Sequence, residues 1–221
     1  VYVVKNVYDD TLERLEKIFS ENFAVYFSFS GGKDSSVMLQ LANLVANKKN
    51  KKFDVLFIDL EGNYKYTIEH IKELRNLSQI DEFYWVCLPL VLRNSVSQLS
   101  THWLCWDKRQ KEFWIRDMPK DCINEENYLS KYGWYFFISG MQFETFIVSF
   151  AKWYQKKHDK PVMCGVAIRT NESFNRFRAI VSLRKEKWKD CNWTTRGQTP
   201  WNRPMYNFYP IDDWETRDIW I

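Results

Sequence analysis

Residues 26–41, YFSFSGGKDSSVMLQL, constrain the fold more than any other stretch of the chain. The first four residues are mostly aromatic, as in a buried strand, and from Val37 onward the apolar residues recur at helical spacing. Two adjacent glycines, Gly31 and Gly32, lie between these segments among small polar residues. The pattern therefore predicts a strand, a tight loop and a helix.

The predicted loop contains the residue types of an anion-binding site. Gly31 and Gly32 lack a Cβ atom, so the backbone there can reach positive φ and approach a ligand closely. The helix that follows directs unpaired N–H groups and the positive end of its dipole at the loop. Lys33 adds a positive charge, while Asp34 can cap the helix or hold Mg²⁺, and we expect both side chains to act in catalysis. The predicted phosphate-binding residues are Ser30, Gly31, Gly32, Lys33, Asp34 and Ser35.

Composition indicates a single globular domain. The chain has 221 residues, of which 45% are hydrophobic and 27% charged. No apolar run approaches the roughly 20 residues of a membrane helix. The five cysteines are widely spaced and odd in number, which favours reduced thiols and a cytoplasmic location. The net charge of +4 does not by itself indicate nucleic-acid binding. Because the chain stops inside an apparent helix, we expect its C-terminus to be truncated.

Residues 53–59 and 82–88 have the nearly continuous apolar character of strands in a parallel sheet that is covered on both faces. Their alternation with helical segments predicts a doubly wound α/β fold. Asp59 and Glu61 lie at the end of the first of these strands, where open α/β sheets bind ligands. Either these carboxylates bind a ribose hydroxyl or a hydrated Mg²⁺, or they form the cap and turn before the next helix.

Residues 91–139 interrupt the alternation of strands and helices, and we interpret them as an insert in the domain. Four tryptophans lie among basic residues there, an arrangement that can stack on nucleotides or single-stranded nucleic acid. We favour a small core or a partner surface, and exposed tryptophans would suit a partner protein. His102 and Cys105 lack a second close pair of ligands, which argues against a zinc or iron–sulfur site. The tryptophans are Trp103, Trp106, Trp114 and Trp134.

A second charged group of residues follows the apolar run at 162–168, which we predict to be a fourth strand. Arg169 would project from the end of this strand into the ligand crevice. We expect a helix from Glu172, capped by Asn171, that places Arg176 one turn past Glu172. Two guanidinium groups there can clamp a phosphate or sulfate, and Arg169 would also act in catalysis. The alternative is an ion-pair cluster on the surface.

These motifs resemble a known family. The motif SGGKDS at residues 30–35 is similar to the signature of PP-loop ATP pyrophosphatases and phosphoadenosine phosphosulfate (PAPS) reductases. The spacing from Arg169 to Arg176 resembles the reductase pattern Arg-x-x-Gln-Ser-x-x-Arg, with Glu172 in place of Gln. The final YPIDDWETRDIW resembles their Pro-Ile-x-x-Trp segment. The stretches VLFIDLEG, EFYWVCLPL, WLCW and ESFNRFRAI resemble the immunoglobulin-binding regulator A-like subgroup most closely.

The resemblance implies an adenine nucleotide alpha-hydrolase-like fold with a parallel, doubly wound sheet of about five strands in the order 3-2-1-4-5. Pro210 and Ile211 would form the last strand, with a helix over residues 214–220. It further implies an enzyme that binds ATP or a sulfonucleotide (PAPS or APS) together with Mg²⁺. We expect cleavage of ATP at the α-phosphate, which forms an adenylate and releases pyrophosphate.

Two alternatives to this activity stay open. The first is reduction of PAPS or APS, for which the thiol would come from elsewhere, because the Cys-Gly-x-His tail of the reductases does not occur before Ile221. Cys191, in a cationic segment, is a weak candidate for that thiol. The second alternative, implied by the subgroup, is a regulatory protein that nucleotide binding switches and that acts with a ParB-like partner.

Overall fold

The strands of the computed structural model, which describes residues 6–93, 99, 101–181, 185–197 and 204–220, form two sheets. In chain order they are β1 (Ala24–Phe29), β2 (Phe53–Ile58), β3 (Ile80–Val86), β4 (Val91–Arg93), β5 (His102–Leu104), β6 (Val162–Val166), β7 (Thr194–Arg196) and β8 (Met205–Phe208). The main sheet has the order β3-β2-β1-β6-β8-β7, and β4 pairs with β5 in a separate antiparallel sheet. Only β7 of the main sheet is antiparallel to its neighbour.

Six α-helices alternate with or follow these strands in the described residues. They are α1 (Val7–Phe19), α2 (Lys33–Lys48), α3 (Lys65–Leu74), α4 (Tyr128–Tyr132), α5 (Phe143–His158) and α6 (Phe174–Val181). Short 3-10 helices cover Lys108–Phe113, Trp188–Asp190 and Arg217–Trp220. Within the described part of the chain, no helix is both long and apolar enough to cross a membrane.

The predicted α/β fold and its strand order are confirmed, since β3-β2-β1-β6-β8 is the order 3-2-1-4-5 in parallel orientation. Two details of the C-terminal part were wrong. The fifth strand is β8, whereas residues 210–213 form a turn, because Pro210 has no N–H to donate to a strand ladder. The helix expected over residues 214–220 is only the short 3-10 segment that ends at Trp220. The edge strand β7 was not predicted.

Aromatic side chains of β1 cover both faces of the sheet, which is why helices flank it on both sides. On one face, the Phe27 ring lies 6.5 Å from the ring of Phe19 on α1. On the other face, the Tyr26 ring packs edge-on against Phe150 and Tyr154 of α5, at centroid distances of 5.4 and 4.9 Å. Neighbouring side chains in a strand point to opposite faces, so this single pair of residues anchors both helical layers.

The insert after β3 is attached to the edge of the main sheet and buries most of its tryptophans. Ile123 forms two backbone hydrogen bonds at the end of β3: it donates to the carbonyl of Trp85 in the strand at 2.6 Å and accepts from N–H of Cys87, the residue after the strand, at 2.8 Å. Trp106 and Trp134 are fully buried, and Trp103 is 37% exposed. Of the two predicted roles, the small core describes Trp106 and Trp134, whose rings join the insert to the sheet, whereas exposed tryptophan surface is limited to the partly exposed Trp103 among these three.

Gly165 on β6 provides a test of this packing. A Cβ atom at this position would lie 2.3 Å from the ring of Phe27 and 2.9 Å from the ring of Phe208. We predict that Gly165→Ala lowers the free energy of unfolding by about 1–3 kcal/mol or more, because both rings belong to neighbouring strands and have little freedom to move. Urea unfolding measures the change. The control is Gly197→Ala, whose Cβ would meet Met205 at an ordinary 3.5 Å; an equal loss in both variants would contradict the prediction.

Candidate functional site

The glycine loop joins the carboxyl end of β1 to the first residue of α2. Gly31 has a φ of +76°, and a Cβ there would lie 2.7 Å from the Ile71 side chain on α3, so glycine is required on both counts. Gly32 is the N-cap of α2, and no side chain caps the helix. The first turn of α2 therefore presents N–H groups and the positive end of the helix dipole at the sheet edge.

Serine hydroxyls fix the shape of the loop. Ser35 Oγ donates to the Gly32 carbonyl at 2.9 Å and lies 3.0 Å from Ser30 Oγ, which in turn accepts from Gly32 N–H at 3.3 Å. Ser36 Oγ also bonds the Gly32 carbonyl, at 2.9 Å, and lies 2.8 Å from Nε2 of His70 on α3. This link between Ser36 and His70 was not predicted, because a contact across 34 residues leaves no local signal in the sequence.

Asp34 is an ion-pair partner in the structure and does not cap α2. Its Oδ1 lies 2.8 Å from Nζ of Lys33, and its Oδ2 lies 3.4 Å from Nε of Arg169. The carboxylate is thus held between two positive charges. Among the described residues, no group of three or more His, Cys, Asp or Glu side chains could hold a metal ion. Within the part of the chain that the structure describes, the donor set around Asp34 therefore does not fit a metal site built by protein side chains alone.

Arg169 follows β6 and reaches the glycine loop, as its position in the sequence predicted. The residue is 4% exposed, and its Nη1 donates to Asn171 and Thr216 at 3.3 Å each. Its Nη2 lies 3.5 Å from a carboxylate oxygen of Glu172, while the buried Nε–H has no hydrogen-bond acceptor among the described residues. The ion pair with Asp34 thus fixes Arg169 beside the loop, with one donor unused.

Arg176 is linked to the same group of charges through Glu172. It extends from α6 and forms an ion pair with Glu172, which therefore contacts both arginines. The helix begins at Phe174, two residues later than predicted, and Ser173 Oγ accepts from Arg176 N–H at 3.3 Å, where Asn171 was expected to cap. Glu172 thus offsets part of the positive charge that a clamp of two arginines would present.

The carboxylates of Asp59 and Glu61 are buried and bonded to the insert. Asp59 is fully buried; its carboxylate accepts from Trp85 Nε1 at 2.8 Å and from Glu61 N–H at 3.0 Å, and it forms an ion pair with Arg116. Glu61 accepts from the backbone N–H of Trp106 at 2.7 Å. Both carboxylates therefore lie at the junction between β2 and the insert. Their hydrogen bonds there leave neither of them free to bind a ribose hydroxyl.

Arg116 and Trp106 fasten the insert to this end of β2. The Arg116 guanidinium lies 5.0 Å from the centre of the Trp106 ring, and Trp106 Nε1 donates to the Asp59 carbonyl at 2.6 Å. Glu61 adopts a φ of +68°, an unusual value for a residue with a side chain. The sequence indicates basic residues in the insert and carboxylates after β2. It does not indicate that Arg116 pairs with Asp59, 57 residues earlier.

All five cysteines are buried free thiols. Burial raises the pKa of Cys105 to about 12 and that of Cys164 to about 12. Burial also raises the pKa of Cys87, whereas the hydrogen bond with Cys87 lowers the pKa of Cys122. Cys191, the candidate thiol, is 7% exposed and accepts from Lys17 Nζ at 3.0 Å. None of the five is an exposed thiol at the glycine loop.

Residues 24–98 match the family model of the phosphoadenosine phosphosulfate reductase domain. The matched segment starts at β1 and contains the glycine loop, α2, β2, α3 and β3. The resemblance of residues 30–35 to this family is thereby confirmed for this part of the chain. The narrower resemblance to the immunoglobulin-binding regulator A-like subgroup is not confirmed and stays a prediction.

Two curated relatives extend the comparison. The chain is 40% identical over 218 residues to the uncharacterized protein YbdN of Escherichia coli (strain K12), a match that covers 97% of this chain and 51% of YbdN. It is 38% identical over 84 residues to the uncharacterized protein MJ0973 of Methanocaldococcus jannaschii, covering 33% of this chain and 19% of that protein. The chain thus spans about half the length of YbdN and less of MJ0973.

Among solved structures, the chain is similar to the crystal structure of Candida glabrata FMN adenylyltransferase in complex with ATP. It is 17% identical to this chain at a TM-score of 0.48, covering 97% of this chain and 52% of the adenylyltransferase. The TM-score lies below 0.5, so the fold assignment depends on the strand order and direction observed in this chain.

Arg116 provides a test of the junction between β2 and the insert. We predict that Arg116→Met lowers the free energy of unfolding by about 3–5 kcal/mol, because it leaves the buried Asp59 carboxylate without its counter-charge. The control is Arg109→Met, which removes an ion pair with Asp107 that solvent screens, so we expect little change in stability. Urea unfolding at neutral pH compares the two variants. Equal, small losses in both would show that Arg116 does not stabilise Asp59.

Proposed function

We propose that this protein binds an adenine nucleotide at the carboxyl edge of its sheet and cleaves ATP between the α- and β-phosphates. The observation that carries the proposal is the glycine loop with the motif SGGKDS, placed between β1 and the uncapped N-terminus of α2. Backbone N–H groups at such a position bind phosphate oxygens without further help from side chains. Gly31 and Gly32 let the phosphates approach the backbone closely.

The charges around the loop support a polyphosphate ligand. The Lys33 side chain is 40% exposed and rests on Asp34, from which it can turn toward a phosphate without losing a buried contact. Arg169 lies on the other side of the same carboxylate. A phosphate that bonds both cations would take over the role that Asp34 has in the free protein. The nucleotide phosphate would therefore replace the Asp34 carboxylate as the counter-ion of Lys33 and Arg169. This replacement lowers the free-energy cost of removing the two cations from water.

The proposed chemistry follows from where charge develops. When the bond between the α- and β-phosphates breaks, the leaving pyrophosphate gains negative charge, and fixed cations and N–H dipoles at the loop stabilise it. Lys33 and Arg169 are the described residues whose positions suit this role. Mg²⁺, where ATP requires it, would enter as part of the nucleotide complex, because the described residues do not fit a metal site of their own.

The first alternative, reduction of PAPS or APS, requires a thiolate at the nucleotide site. All five cysteines are buried, so none of them is available as the attacking thiolate. A reductase would therefore need a thiol from another source. Sulfite release from PAPS in the presence of thioredoxin tests this activity. The second alternative, regulation together with a ParB-like partner, rests on the subgroup resemblance; burial of Trp106 and Trp134 removes two of the tryptophans that would suit a partner surface.

Two substitutions with opposite expected signs test nucleotide binding. We predict that Lys33→Ala weakens ATP binding about tenfold or more, since a charge-assisted contact to phosphate is lost. Glu172→Gln should strengthen binding several-fold, because it removes the negative charge that pairs with Arg169 and Arg176 while preserving a hydrogen-bond acceptor.

Titration calorimetry with MgATP measures both effects. The matched control is Lys51→Ala, which removes an exposed lysine three residues after the C-terminal end of α2, the helix whose N-terminus faces the loop. Absence of ATP binding to the unaltered protein, or equal affinities for the unaltered, Lys33→Ala and Glu172→Gln proteins, would refute the proposed site.

The products formed from ATP test the proposed bond cleavage. We predict that attack of water on the α-phosphorus gives AMP and pyrophosphate, that an acceptor substrate in place of water gives an adenylate and pyrophosphate, and that the rate falls about 10²–10³-fold in Lys33→Ala. Phosphorus NMR distinguishes pyrophosphate from inorganic phosphate in the same sample. Release of inorganic phosphate with ADP would contradict cleavage at the α-phosphate, even if ATP binding at the loop were confirmed.

A further inference from the structure

A groove of about 550 Å³ lies between the C-terminal ends of α4 and α5, away from the glycine loop. Its aromatic lining consists of Tyr132, Tyr135 and Trp153, and its basic lining of Lys131, Lys156 and Lys157. Glu82 of β3 is the one acidic residue of the lining. The volume falls within the range of roughly 300–1,000 Å³ that is usual for small-molecule sites.

The groove and the glycine loop lie at different levels of the sheet. In the strand register, Phe29, which precedes the loop, is level with Phe57 of β2 and hence with Trp85 of β3. Glu82 lies three residues before Trp85, about 10 Å back along the strand at the usual rise per residue. It is also two strands away from β1. A ligand in the groove would therefore be separate from a nucleotide at the loop.

The aromatic rings of the groove are held by the core behind them. Trp153 lies 5.5 Å from the buried ring of Trp134 and 5.7 Å from Tyr84, in edge-to-face arrangements. The Tyr132 ring lies 5.3 Å from Trp134. Tyr135, by contrast, is 85% exposed. Lys157 Nζ lies 5.5 Å from the centre of the Trp153 ring, and Lys131 Nζ lies 5.1 Å from the centre of the Tyr132 ring. Within the described residues, Tyr135 is therefore the ring of the lining that is open to stacking by a planar ligand.

The charges of the groove favour an anion. Glu82 is already neutralised by Lys157, whose Nζ lies 2.5 Å from its carboxylate and 2.6 Å from the Tyr84 hydroxyl. Lys131 and Lys156 have no carboxylate within ion-pair distance among the described residues, and both are exposed. Two ammonium groups therefore remain for a ligand, beside the exposed Tyr135 ring on which an aromatic group can stack.

From these features we infer that the groove binds a nucleotide unit, with the base stacked on Tyr135 and the phosphate held by Lys131 and Lys156. Stacking and ammonium–phosphate contacts are the two elements with which proteins hold single-stranded nucleic acid, and neither selects one base strongly. The same chemistry is present in a free mononucleotide and in a strand.

Binding of thymidine ligands tests this site, and the Lys33→Ala variant separates it from phosphate binding at the loop. Fluorescence anisotropy of a labelled twelve-residue oligothymidylate gives the affinity of a strand, and competition with thymidine monophosphate gives that of the free nucleotide. We expect Lys131→Ala/Lys156→Ala to weaken binding tenfold or more and to reduce the slope of log K against log salt by about 1.4. Tyr135→Ala should weaken binding about tenfold, and Tyr135→Phe should preserve it.

Two controls separate this site from general attraction to the protein surface and from the loop. Lys48→Ala/Lys51→Ala removes the same charge from exposed positions near the end of α2 and should leave affinity unchanged. Lys33→Ala should also have no effect. Comparable affinities for the strand and the mononucleotide would assign the groove to free nucleotides, and binding of the strand alone would assign it to nucleic acid. Lack of binding by the unaltered protein, or an equal loss in the lysine controls, would overturn the inference.

Discussion

The structure depends on the position of β1, which lies between β2 and β6 and is covered on both faces by aromatic side chains. Tyr26 and Phe27 point to opposite sides and engage α5 and α1 respectively. Gly165 of β6 leaves the space that the Phe27 ring occupies. Because β1 is fixed in this way, the glycine loop at its carboxyl end and the first turn of α2 have a defined place at the sheet edge. The proposed phosphate site follows from that placement.

Two sets of ion pairs meet at this edge and have different roles. The set formed by Asp34, Arg169 and Glu172 lies at the loop and includes the exposed Lys33. An anionic ligand can compete for its cations. The set formed by Asp59 and Arg116 is buried and joins the insert to β2, so it contributes to structure. Both contain a carboxylate near a strand end, but burial and partners decide which of them remains available to a ligand.

Much of the fold was predictable because its signals are local. Apolar runs identified the strands, and the glycines between β1 and α2 identified the loop. Pairings across long sequence separations were not predictable: Asp34 with Arg169, and Asp59 with Arg116. Which tryptophans of the insert are buried was not predictable either: Trp106 and Trp134 lie in the core, while Trp103 is partly exposed. The last strand was misplaced because the motif around Pro210 indicated the right region but not which residues pair.

The central claim is that nucleotide phosphates bind the loop at residues 30–36, and amide hydrogen exchange tests it most directly. Peptides that contain the loop and the first turn of α2 would be followed with and without saturating MgATP. Binding as proposed predicts slower exchange of these amides, since their N–H groups would become hydrogen-bonded to phosphate oxygens. Slower exchange only in other segments, with the loop unchanged at saturating ATP, would contradict the proposed site.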